Sequence, residues 1–273
     1  MTKRKHGRKA RRTRRSDSSR SRSRPSGWKP GAGRGKPLLL TTTGDPYQPV
    51  RIFYTIPDRT AAIRRLEALE CIDKHPTEQV WGWSYCDEAA DLAIGPISPG
   101  AMDPAAAPIL IGKFRFPTRD TMTLDVRSFE RAIAAVPFFA PVLGPDITPC
   151  RVRVLNRWVE RDEARKGLAA LDRMLDRNVT VIDEAEARKR LEEPPPGGGT
   201  TRDVPRVEDF PLHPEEETPD FLHFSTALRF RLVRAYQHWR GNDHLTLADI
   251  IRNHVENAFI HRAREKKETD FEE

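Results

Sequence analysis

Only three cysteines occur in the 273 residues, Cys71, Cys86 and Cys150, scattered and odd in number. They cannot build a disulfide framework, so a reducing cytoplasm is the expected compartment. No apolar run approaches the roughly 18–20 residues needed to span a bilayer, and the stretch 134–143 is broken by Pro137 and Pro141. The positive N-terminal run leads into Ser, Arg, Pro and Gly instead of an apolar segment, which argues against a secretory signal. Also missing are a Gly-Lys-Ser phosphate loop, a nucleophile elbow and a His-Glu-x-x-His pair. Those absences favour a binding protein over an enzyme, with no catalytic residue, cofactor or metal expected.

Acidic side chains are nearly missing from residues 1–36, where Asp17 stands against fifteen Lys and Arg. This segment carries +14, and the other 32 basic and 39 acidic side chains leave the remainder at −7. Apart from Trp28 it offers little apolar surface to offset the entropy of ordering, so a disordered Arg/Ser-rich tail is expected. Each cation brought near a phosphate releases a condensed counterion, which yields affinity without sequence reading. The candidate contacts are Lys3, Arg4, Lys5, Arg8, Lys9, Arg11, Arg12, Arg14, Arg15, Arg20, Arg22 and Arg24. Serines 16, 18, 19, 21, 23 and 26 lie among the arginines, and phosphorylation would subtract roughly 1.5–2 charges at each. An address label or a passive solubiliser is the alternative for this segment.

Beyond residue 37 the patterning becomes that of a folded body, expected over 37–193. VRIFYTI (50–56), QVWGWSY (79–85), ILIGKFRF (109–116), TMTLDV (121–126) and CRVRVLNRWV (150–159) alternate or cluster as strands. Asp58 and Ser128 are placed to cap helices that follow the first and fourth of them. The order β-α-β, loop, β-β-α-β suggests an α+β fold, a split β-α-β (ferredoxin-like) sandwich with an extra strand. Composition makes 194–219 a Pro/Gly/acidic linker. The region 220–273 then holds a C-terminal helical hairpin and a charged end, with apolar stripes at Leu228, Leu232, Ala235 and Trp239 and at Leu247, Ile250, Ile251, Val255 and Phe259. A hairpin that small must dock on the body or self-associate.

The stretches VRIFYTIPDRTAAIRRLEALECID, VWGWSY, LDVRSFERAI and RVRVLNRW resemble an uncharacterised bacterial protein family. The resemblance spans roughly residues 50–160 and the C-terminal helices, and it implies no activity.

Within the body, Trp81, Trp83 and Tyr85 share one face of a strand, and Arg151 and Arg153 alternate on another. On an exposed sheet such residues form a base-stacking platform with phosphate contacts; the alternative is that the tryptophans lie beneath a helix. Cys71 and His75 have zinc-compatible spacing without a second close pair. Asp146, Glu160 and Asp162 approach a metal-nuclease pattern but lack its lysine. The sequence therefore points to a non-enzymatic RNA- or DNA-associated protein that uses its basic tail. The alternative is a protein-interaction adaptor that docks or dimerises through 221–260.

Overall fold

Val50–Thr55 (β1) forms the middle of a sheet because its alternate residues serve two different environments. Val50, Ile52 and Tyr54 are buried in the main core, while Arg51 and Phe53 point to the opposite face. The computed structural model describes residues 38–98, 101, 108–164, 168–183, 185, 206–213, 223–242 and 244–257. The expected tail 1–36 lies outside the described residues.

Pro57 and Asp58 end β1, and the Asp58 carboxylate accepts from the Thr60 and Ala61 amides, opening Arg59–Leu66 (α1). The chain returns through Ile72–Lys74 (β2), Val80–Ser84 (β3), Leu110–Arg115 (β4) and Thr121–Val126 (β5). Ser128 then caps Phe129–Leu143 (α2), its hydroxyl accepting from the Arg131 amide. Gly144 closes that helix at φ 76°, in the left-handed region. Thr148–Leu155 (β6), Arg161–Ala164 (α3), Leu168–Leu175 (α4), Val179–Val181 (β7), Val207–Pro211 (β8) and Phe224–Trp239 (α5) follow. Residues 247–257 are again helical.

Among the described residues eight strands make one sheet in the order β2-β3-β4-β5-β1-β6-β8-β7. The fold is thus mixed α+β. β1 lies antiparallel between β5 and β6, which α2 joins, so those two strands run the same way on either side of it. Five body strands were expected from the sequence; β2, β7 and β8 are additional. Three-residue β2 and β7 are too short for periodicity to reveal them.

Residues 194–219 need a sharper correction, because β8 falls inside the expected linker. Val207–Pro211 pairs with β6 on one side and β7 on the other. Its acids are not solvated: Glu208 and Asp209 are buried as counter-ions to arginines from α5 and β6. Composition alone made those carboxylates resemble linker residues.

One sheet face carries the main core, where α1 and α2 cover Phe114, Trp81, Trp83, Leu124 and Val152 with Leu66, Ala132, Phe139 and Leu143. α5 joins the same face, burying Leu228 and bonding Glu208 through Arg231 (2.9 Å) and Arg234 (3.2 Å). The hairpin therefore docks within the chain. Its second helical stretch packs Ile250 and Ile251 on Phe230, and the Asp249 carboxylate accepts from the Thr246 amide at its start. On the other sheet face, α4 seals a smaller core of Leu155, Val159, Leu171, Leu175 and Val207. None of the described helices is long and apolar enough to cross a membrane.

Candidate functional site

The face shared with α4 carries more than its small core. Because successive side chains alternate across a strand, the register that places Ile52 opposite Leu124 and Val152 places Arg51 opposite Asp125 and Arg153. Five strands and the end of α4 thereby contribute to one line of alternating charge. Arg115 Nη1 donates to Asp125 Oδ2 at 3.1 Å. Asp125 also accepts from Arg51 Nε (2.6 Å) and Nη2 (3.0 Å). Arg51 Nη1 and Arg153 Nη1 then meet on Asp176 Oδ1, at 2.9 and 2.6 Å. Finally, Asp209 Oδ2 gathers Arg153 Nη2 (2.8 Å) and Arg151 Nη1 (2.9 Å).

Phe53 lies under this line, with the Arg151 guanidinium 3.8 Å and that of Arg153 5.2 Å from its ring centroid. Burial works against the charge on Arg51, but its bonds to Asp125 and Asp176 outweigh that and hold the guanidinium above its ordinary pKa. Four arginines share three aspartates here, so the line is cationic. Planar guanidinium forks suit phosphate oxygens; Arg151, 41% exposed along its side chain, is the member most open to solvent.

The expected stacking platform is not assembled. Trp81 and Trp83 are 0% exposed and Tyr85 5%, and they lie on the helix-covered face, opposite to Arg151 and Arg153. Trp81 Nε1 donates to Glu67 at 2.8 Å, and its ring meets Phe116 edge-on. Trp83 is held against Phe138 and Phe139 of α2. The Tyr85 hydroxyl donates to the Leu92 carbonyl at 2.6 Å. The sequence shows that the three rings share a face but not which layer covers it. Among the described tryptophans, the half-buried ones are Trp158 and Trp239, whose rings lie 5.8 Å apart beside Tyr236.

The tail cations Lys3 to Arg24 lie outside the described residues. Sequence reasoning missed Arg51, Arg115, Asp125, Asp176 and Asp209. A signal was present in the alternation of VRIF, KFRF and TLDV, where a charge stands between apolar neighbours.

The surroundings of Cys71 and Cys86 disfavour their thiolates. Burial, aided by Glu88, pushes the Cys71 thiol up to about 12. Burial and Asp87 do the same for Cys86, so both are protonated at neutral pH. No three His, Cys, Asp or Glu among the described residues converge as metal ligands. Asp146 is instead paired with Arg65 at 2.7 Å. Comparison with protein-family models, curated proteins and solved structures finds no match, so no activity is carried over from a relative.

Proposed function

We propose that this is a non-enzymatic, cytoplasmic nucleic-acid-associated protein in which cations meet the phosphate backbone without reading bases. The observation that carries this reading is the charge segregation, +14 over residues 1–36 against −7 over the remainder. The cationic line Arg115–Arg51–Arg153–Arg151 on the α4 face supports it from the folded side. The interaction-adaptor alternative is the weaker one, because the apolar stripe of the C-terminal hairpin is largely used inside the chain: Leu228 and Ala235 are buried.

The test is retention of single-stranded RNA and DNA by the intact chain across a salt series, repeated after deletion of residues 1–36. Engagement of all fourteen net charges would give a log K against log salt slope near −10, at about −0.7 per phosphate neutralised. The deletion should remove most retention at moderate salt. Equal retention with and without the tail would refute its role.

A further inference from the structure

Beside the alternating line, the same sheet face holds a cleft whose floor is β4 and β5 and whose wall is Leu171 of α4. Leu110 contributes apolar lining, and Lys113, Arg115 and Arg127 contribute three cations against the single carboxylate of Asp125. That carboxylate is already shared by Arg51 and Arg115, since Oδ1 meets Arg51 and Oδ2 meets both. All three cations are half-buried; Arg115 is paired with Asp125, whereas Arg127 makes no ion pair or hydrogen bond to a carboxylate among the described residues. The charges nearest it include the buried Arg131 of α2, a like charge that burial disfavours. Arg131 in turn is committed to Asp45, 3.5 Å from its Nε, and to the Thr43 hydroxyl at 2.9 Å. Arg127 is thus a partly desolvated guanidinium in a depression with apolar sides, where cations outnumber carboxylates, and an anion would gain charge-assisted hydrogen bonds there.

We infer that this cleft binds a phosphate group, with Arg127 as its anchor and Lys113 and Arg115 completing the positive lining. The inference rests on the nucleic-acid reading for its favoured source, a backbone phosphodiester, and adds a fixed contact on the folded body to those of the tail. Planar donors fit two phosphate oxygens at once, and Leu110 and Leu171 exclude water from one side. A phosphodiester seated there would lie alongside Arg51 and Arg115, so a strand entering the cleft would continue along the arginine line.

The experiment uses the full chain and two probes: a fluorescent 12-residue oligouridylate, followed by anisotropy over a salt series, and inorganic phosphate, followed by its effect on the melting temperature. The variants are Arg127→Glu, the milder Arg127→Gln in case reversal impairs folding, and Arg119→Glu. Arg119 is an exposed residue of the β4–β5 hairpin, so its reversal controls for net charge. Both Arg127 variants should bind the oligonucleotide roughly tenfold more weakly, with the salt slope reduced by about one, and Arg119→Glu should change it much less. Unchanged oligonucleotide binding with loss of phosphate-induced stabilisation would support the cleft with a small phosphate as its ligand. Equal effects of the Arg127 and Arg119 variants on both probes would overturn it. If the parent chain ignores oligonucleotide yet its phosphate response depends on Arg127, the nucleic-acid reading fails and the cleft stands.

Discussion

Arg51 and Asp125 face each other across the β1–β5 ladder and form a two-pronged pair, Nε to Oδ1 at 2.6 Å and Nη2 to Oδ2 at 3.0 Å. Their side chains are 10% and 5% exposed, so neither charge can return to water if its partner is removed. Asp125→Ala removes the two-pronged partner of Arg51, which keeps only its contact to the half-exposed Asp176 among the carboxylates described above, and it also removes the Asp125 contact of Arg115; it should cost about 3 kcal/mol in urea unfolding. The double variant Arg51→Met, Asp125→Leu should recover part of that loss, because apolar groups leave no uncompensated buried charge at the pair. A single variant as stable as the parent would show that the pair is not desolvated in solution.

Glu208 plays the corresponding part on the other sheet face. Burial raises its carboxyl, but Arg231 and Arg234 outweigh that and hold it below the ordinary value of 4.5. A depressed folded-state pKa means that the stabilisation is complete above pH 4.5 and is lost as pH falls through the folded value. Glu208→Gln should cost about 3–5 kcal/mol at pH 7, and the gap to the parent should narrow towards pH 3. A gap that stays constant across that range would contradict the assignment.

The tryptophans separate core from surface. With Trp28, Trp158 and Trp239 changed to Phe, emission comes from Trp81 and Trp83 alone and should be blue-shifted and insensitive to iodide or added RNA. Trp83→Ala should cost about 3–5 kcal/mol through the cavity left between Phe138 and Phe139. Quenching of the two-tryptophan variant by RNA would restore the stacking platform.

Local signals in the sequence were sufficient for some elements and silent on others. Asp58 and Ser128 mark helix starts because capping needs only a side chain and amides two or three residues away. Strand β8 gave no such signal: VEDFP has two acids and a proline in five residues, and its carboxylates are tolerable in the sheet only because Arg231, Arg234, Arg151 and Arg153 converge on them from other elements. The charged line was likewise hidden. Arg51 and Asp125 are 74 residues apart, and no local pattern specifies which strands become neighbours.

The amino-acid order by itself determined the opposition of charge between residues 1–36 and the rest, the helix caps, and the alternation that sorts each strand into two faces, since all of these depend on composition or on spacings of a few residues. The tertiary structure alone decided which face the helices cover. It buried Trp81, Trp83 and Tyr85 and left the arginine face beside α4 for charge pairing and the cleft at Arg127. The physical reason is that strand periodicity separates two sets of side chains, but only the packing of distant elements assigns one set to a core and the other to an ion-paired surface.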